Sequence, residues 1–229
     1  MTETKKKTAI KTWTVAPTSV FNKLTAYFGD AQQHPRGIHA IIINASMGKS
    51  ITVKAFAEQK PSVYYVCCHR HMPIRTLLRD MLTRMGKDSS GTIAEMLDNL
   101  VHNLEKDKEP LFIIDEVDKL KDEVLEMFVD LENKLHGKCG LVFIATPYLK
   151  KRIETGVNRN KRGFTELYSR MKKIFWDLTP AKQEFKKDVS LICKANGVSN
   201  EQTITELYNK CDYDLRVLTD LIVAFKAAA

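Results

Sequence analysis

Nowhere in this 229-residue chain does an apolar run approach the ~18 residues that a membrane-spanning helix needs. The opening MTETKKKTAIKTW likewise lacks the apolar core of a secretory signal. The sequence therefore reads as a cytoplasmic protein with no membrane partner. Cysteine is sparse and unpatterned: Cys67, Cys68, Cys139, Cys193 and Cys211 are odd in number and have no zinc-type spacing. Reduced, mostly buried thiols are expected, without a disulfide framework or a metal cluster. His69 and His71 flank Arg70 but have no third ligand near them, so a metal reading fails there too. Glycine and proline, 10 and 7 residues, are too few for a collagen-like or disordered chain.

What is present is a globular composition, 44% apolar and 28% charged, long enough for one sizeable core and a smaller appendage. The formal net charge of +8 is unevenly placed. Between Pro147 and Lys173 stand nine Lys or Arg against two acids, while Arg70, Arg75, Arg79, Arg84 and Lys87 form a second basic group around Asp80. Positive charge gathered in this way suits a polyanion, above all nucleic acid, because each neutralised phosphate releases counterions. The plainer reading is a solvated basic surface or loop.

Residues 1–16 read as a flexible N-terminal arm. Pro17 to Phe28 has Val20, Phe21, Leu24 and Phe28 at helical spacing behind a Thr18 or Ser19 cap. His39–Asn44 is a short apolar strand, Lys49–Gln59 a helix, and Val63–Cys68 a second strand. Helices are expected over Pro73–Met85, Thr92–Lys106 and Leu120–Leu135, and strands over Leu111–Ile114, Leu141–Ala145 and Ile174–Leu178. Such alternation implies an α/β core, residues 17–179, built on a parallel five-stranded sheet flanked by helices. After Pro180 the pattern becomes three helices with no strand, a small lid domain over residues 180–229.

Two motifs carry chemistry. The run Ile43-Asn44-Ala45-Ser46-Met47-Gly48-Lys49-Ser50-Ile51 lies between an apolar strand and a helix, the context of a phosphate-binding P-loop. Its backbone amides and helix N-terminus cradle phosphates, Lys49 reaches the β and γ oxygens, and the Ser50 hydroxyl ligates Mg²⁺. The loop is degenerate: Ile43 stands where the first glycine belongs, and Asn44 is a candidate for the left-handed turn. The second motif, Leu111–Glu116 (LFIIDE), is an apolar strand ending in two carboxylates. Asp115 would hold Mg²⁺ and Glu116 would orient and deprotonate the attacking water. ATP and Mg²⁺ are thus the expected ligands.

Further candidates are single residues. Thr146 ends the fourth strand, where its hydroxyl can reach toward the γ-phosphate or the water; otherwise it is an ordinary strand end. Arg216, within YDLRVL, suits a lid arginine on phosphate or a plain surface arginine. Arg170 suits an arginine finger reaching a neighbouring subunit, or a place in the basic patch, with Arg159 and Arg162 as alternatives for the finger.

The run FIIDEVDKLKDEVLEMFVDLENKLHGKCGLVFIATPYLKKRIE, followed by FTELYSRMKKIFWDLTP, resembles the AAA+ ATPases of DNA transposition, the TnsC and phage Mu B type. The resemblance extends in element order from about Val20 to Lys226 and is strongest over Leu111–Pro180. It implies an ATPase, slow given the degenerate loop, that oligomerises on duplex DNA, often as a filament, and recruits or activates a transposase. It also implies that Lys49, Ser50, Asp115, Glu116, Thr146 and Arg216 act in cis and Arg170 or a neighbour in trans. DNA would meet the loops after the second strand and beside it, where Arg70, Arg75, Lys119, Lys121, Lys150 and Lys151 stand. A helicase loader of DNA replication uses the same core, but aromatic residues for stacking single strands are few outside the expected core; a nucleotide-binding module with weak or lost hydrolysis is a third reading, motivated by the degenerate loop and opposed by the intact Lys49, Ser50, Asp115 and Glu116.

Overall fold

The structure, a computed structural model, describes residues 13–135 and 137–228. Residues 1–12 of the expected N-terminal arm lie outside the described residues. Five strands, β1 (Ile38–Ile42), β2 (Val63–Cys67), β3 (Leu111–Asp115), β4 (Gly140–Ala145) and β5 (Phe175–Asp177), form one parallel sheet. Their order is β2-β3-β4-β1-β5. The two strands at the middle of the β2-β3-β4-β1 run, β3 and β4, are buried along their whole length, as strands covered on both faces must be. At the β5 edge Trp176 is exposed, with its ring tilted against Tyr27.

Seven helices cover this sheet: α1 (Ser19–Gln33), α2 (Lys49–Gln59), α3 (Ile74–Arg84), α4 (Ile93–Lys106), α5 (Asp122–Leu135), α6 (Pro147–Asn158) and α7 (Phe164–Arg170). Their buried stripes follow helical spacing. On α3 it is Leu77, Leu78, Met81 and Leu82; on α4 it is Met96, Leu100 and Leu104. Thr92 caps α4 in a reciprocal box with Glu95, each side chain bonding the other's backbone N–H, which typically stabilises by ~1 kcal/mol. An edge-to-face contact between Phe128 of α5 and Phe143 of β4 fastens the helices to the sheet. Where the sequence pattern shows only an undivided basic stretch, the structure has two regular helices, α6 and α7.

The chain separates into two compact units, one of Ser19–Ala181 and one joining the segment through Thr18 to Lys182–Ala229. The second unit contains α8 (Lys182–Ala195), α9 (Glu201–Lys210) and α10 (Leu215–Ala228), the three helices expected there. Phe185 packs against Tyr213 with ring centroids 4.2 Å apart. Asn196 receives the Thr14 N–H and donates to the Thr14 carbonyl, both at 3.0 Å, so its amide imitates a strand neighbour for the N-terminal segment. Four of the five cysteines are buried thiols, and Cys67 is exposed. Among the described residues no cluster of three or more His, Cys, Asp or Glu side chains could hold a metal, and no helix is long and apolar enough to cross a membrane.

Candidate functional site

In a parallel sheet all strands deliver their carboxyl ends to one edge, so the loops after β1, β3 and β4 meet. β1 runs beside β4, with Ile42 opposite Ala145, and β4 runs beside β3, with Ile144 opposite Asp115. The Ile43 N–H continues this pairing onto the Ala145 carbonyl at 3.0 Å. Ile43 is fully buried, so the residue in the first-glycine position extends the strand and does not turn it. The turn comes later, at Ser46 (φ 60°) and Gly48 (φ 81°). Asn44, the expected left-handed residue, is not among those with positive φ; its N–H is received by the Thr179 hydroxyl at 3.2 Å.

Gly48 is the N-cap of α2 and leaves the N-terminal end of the helix without a side-chain cap. Lys49 folds back and donates to the carbonyls of Ile43 (3.2 Å) and Asn44 (2.7 Å). Ser50 donates to Asp115 Oδ2 at 3.3 Å, joining the two sequence motifs directly. Asp115 is 1% exposed. Burial pushes its carboxyl above the ordinary value, against the opposing pull of the Glu116 N–H (2.8 Å) and the Lys49 charge. Tyr65 also donates to Oδ2 at 3.3 Å; burial and then the Asp115 charge push that phenol up, so it stays protonated.

Glu116 leaves the strand with φ 58° and caps a single 3-10 turn, Val117–Lys119. Its Oε2 receives Lys119 Nζ at 2.5 Å and the Cys67 thiol at 3.6 Å. Lys119, one of the expected DNA contacts, is therefore committed to the carboxylate in this conformation. Thr146 is half-buried and donates to Asp118 Oδ2 at 2.8 Å. Arg152 of α6 fixes the same turn by donating to the carbonyls of Asp118 (3.3 Å) and Leu120 (2.7 Å) and pairing with Asp122. Although burial works to raise Asp122, donation from Lys161 and Arg152 holds it below its ordinary value.

The basic stretch is thus divided. Arg152 and Lys161 share Asp122, and Arg170 Nε lies 3.3 Å from the buried carboxylate of Glu132, so these three cations are paired inside the chain. Arg159 and Arg162, near the turn between α6 and α7, are exposed, as are Lys121, Lys150 and Lys151. Arg70, in the turn after β2, and Arg75 and Arg79, one turn apart on α3, are exposed and have no ion pair among the described residues. Arg216 stands exposed in the first turn of α10, where Asp214 caps the backbone of residues 216 and 217. Sequence reasoning missed Tyr65, Cys67, Asp118, Arg152 and Thr179. Only Asp118 carried a signal, as a third acid close behind Asp115 and Glu116.

The strand order, the degenerate phosphate loop and the paired acids define a P-loop nucleoside-triphosphatase core. The AAA domain family matches residues 32–153, more than half of the sequence, and the chain belongs to that family, whose fold is built to bind nucleotides. No curated protein matches the sequence. Among solved structures, the ADP form of the Aeropyrum pernix ORC2 protein is 15% identical with TM-score 0.54, covering 82% of this chain and 55% of that one. Replication initiator DnaA bound to AMPPCP and single-stranded DNA is 14% identical with TM-score 0.59, covering 90% and 59%. Drosophila ORC bound to DNA is 16% identical with TM-score 0.57, covering 96% and 59%. These likenesses are of fold, and the chain spans well under two thirds of each of those proteins.

Proposed function

We propose that this chain is an ATPase that binds duplex DNA as a nucleotide-dependent oligomer and regulates DNA transposition by recruiting or activating a transposase. The observation that supports it best is the convergence of Lys49 and Ser50 with Asp115 and Glu116 at the carboxyl edge of the sheet. The turn at Ser46–Gly48 and the open end of α2 offer backbone N–H groups to phosphate. Lys49 exchanges its two loop carbonyls for phosphate oxygens. Asp115 and Ser50 are hard oxygen donors, and a carboxylate that burial drives toward protonation is one that a cation suits; both fit Mg²⁺. When bound, that ion neutralises charge on the transferring phosphoryl group.

Glu116 leaves Lys119 to take the proton of the attacking water. Arg159 or Arg162 of a neighbouring copy is favoured over Arg170 as the finger in trans, because Arg170 already neutralises Glu132. Arg70 and Arg75, with Lys121, Lys150 and Lys151 in support, meet DNA phosphates and position the assembly with little sequence preference. Hydrolysis then resets the assembly.

A replication initiator or helicase loader is the second reading, favoured by the likeness in fold to the DnaA and ORC chains. ATP turnover in Lys49→Ala and Glu116→Gln, with affinity for duplex and for single strands under ATP, tests both. Each substitution is expected to lower turnover by on the order of 10²-fold or more, and duplex is expected to bind tighter. Unchanged turnover in Glu116→Gln rejects the assigned base, and a preference for single strands moves the chain to the second reading.

A further inference from the structure

A cavity of about 550 Å³ opens beside the β5 edge of the sheet, between that edge and α1. Its lining includes Tyr27 and Asp30 of α1, His39 of β1 and Trp176 of β5, with Arg36 and Lys172 among them. His39 stands four residues before Ile43, so at the rise of a strand the cavity lies about 13 Å from the start of the phosphate loop and outside the nucleotide cleft.

Strand alternation makes this edge apolar. Successive side chains point to opposite faces. Phe175 packs toward the core and stacks on Tyr168 of α7 with centroids 5.9 Å apart, which leaves Ile174 and Trp176 on the other face, 43% and 41% exposed. Edge strands usually carry charge at such positions. The indole is braced by Tyr27, at 5.3 Å between centroids and 55° between planes, so its orientation is held while much of its surface stays open.

The polar groups around it are cationic or unsatisfied. Lys172 and Lys173 are consecutive left-handed residues, φ 53° and 58°, exposed and without an ion pair among the described residues. Their turn is fixed by the Lys172 N–H on the Ser169 carbonyl (2.8 Å) and the Lys173 N–H on the Tyr168 carbonyl (2.9 Å). A Cβ at Gly37 would lie 2.6 Å from the Arg170 carbonyl oxygen and 3.3 Å from Lys172 Cε, so the absence of a side chain there lets the loop before β1 press against the Lys172 stem. Arg36 pairs with Asp30 at 3.0 Å, an exposed pair that a second anion can share. His39 Nε2 is sealed from solvent and has no hydrogen-bond partner among the described residues. Burial, opposed by the Asp30 charge, lowers the proton affinity of this ring, and the neutral imidazole has one N–H and one lone pair.

We infer that this cavity takes one nucleotide unit of an unpaired nucleic-acid strand, with the base on Trp176, its edge toward His39 and its phosphate on Lys172, flanked by Lys173 and Arg36. An aromatic platform beside cations is how proteins hold single strands with little sequence preference. The base offers in-plane donors and acceptors to the orphaned nitrogen, which the imidazole presents by turning about its Cβ–Cγ bond. An acidic peptide would satisfy the cations but makes no use of an open indole face. Trp176 falls within an expected strand, and only its place at the sheet edge exposes it. The site adds a single-strand contact to the duplex surface proposed on Arg70 and Arg75 and does not depend on the reading of the ATP cleft.

The test uses the full chain, which has two tryptophans, so Trp13→Phe leaves Trp176 as the sole indole. Its fluorescence is titrated with a short oligothymidylate, with thymidine monophosphate and with polyglutamate. Strand affinity of further variants is read from the anisotropy of a labelled oligothymidylate, and each melting temperature is recorded so that a fold defect is not read as a lost contact. Oligothymidylate is expected to quench Trp176 and polyglutamate is not. Weaker quenching by the monophosphate assigns the site to a strand, and equal quenching assigns it to free nucleotide. Trp176→Leu, which keeps an apolar side chain on the edge, weakens strand binding about 10-fold, and Trp176→Phe does so much less. Lys172→Ala reduces the salt slope by about 0.7, the share of one phosphate on a single strand. His39→Leu also weakens binding. The Arg70→Ala/Arg75→Ala/Arg79→Ala variant loses duplex affinity and keeps the Trp176 response, and a strand that binds tighter than duplex would change the functional reading while leaving this site in place. Quenching by neither nucleotide probe overturns the inference, as does unchanged strand affinity in Trp176→Leu; equal quenching by polyglutamate overturns it in favour of a docking face for acidic protein chains.

Discussion

At the scale of single residues, Asp115 sets stability against function. Its carboxyl is nearly inaccessible, and burial raises its proton affinity above the ordinary carboxylate value. A carboxyl whose folded pKa is raised binds its proton more tightly in the folded state than in the unfolded one. Stability of the ligand-free protein therefore falls as pH rises from the ordinary carboxylate value through the folded one, and the penalty is complete above both. Asp115→Asn should melt higher than the parent protein at neutral pH without Mg²⁺, with the gap closing as pH falls into the carboxylate range. A lower melting temperature at neutral pH would contradict this account of the buried acid.

Lys119 gives a second residue-scale prediction. Because it holds Glu116 at 2.5 Å, Lys119→Met is expected to raise basal ATP turnover, not to weaken DNA binding; weakened DNA binding with unchanged turnover would return Lys119 to the DNA face. Lys49, Ser50, Asp115 and Glu116 were legible in the sequence because each pair lies in one short run with a strand on one side. Tyr65, Cys67 and Thr179 were not, since they reach the site across strands 49 to 135 residues apart in sequence, a proximity that only the sheet order creates.

At the scale of elements, α6 and α7 show where periodicity failed. Leu149, Ile153 and Gly156 form a buried helical stripe on α6, but six of the nine cations of the basic stretch fall on α6 or in the turn after it and dominate the local pattern. Most of the other helices carry longer apolar stripes or a recognisable cap such as Thr92, and their ends were legible to within a few residues. Gly156 is the point at which the pair closes: a Cβ there would lie 2.1 Å from the Phe164 ring, itself buried. Gly156→Ala should destabilise the protein by about 1–3 kcal/mol, as overpacking a tight core does, read as a lower midpoint in denaturant. An unchanged midpoint would mean that α7 does not pack on α6 as described.

For the whole molecule, the proposed function raises the question of which of the 36 Lys and Arg would meet DNA. Arg152, Lys161 and Arg170 serve the fold, whereas Arg70, Arg75 and Arg79 are exposed and have no ion pair among the described residues. Replacing the last three with alanine should lower duplex affinity and reduce the salt slope by about one for each DNA phosphate no longer neutralised, with ATP turnover in the absence of DNA unchanged. Affinity that ignores salt would remove the phosphate-binding reading altogether. The most direct measurement is of duplex binding and particle size without nucleotide, with ADP, with ATP and with a slowly hydrolysed ATP analogue, in the parent chain and in Lys49→Ala. The account predicts large DNA-bound assemblies only with ATP or the analogue, dispersing as ATP is consumed and absent in the variant. Assemblies that form equally well without nucleotide, or in Lys49→Ala, would contradict it.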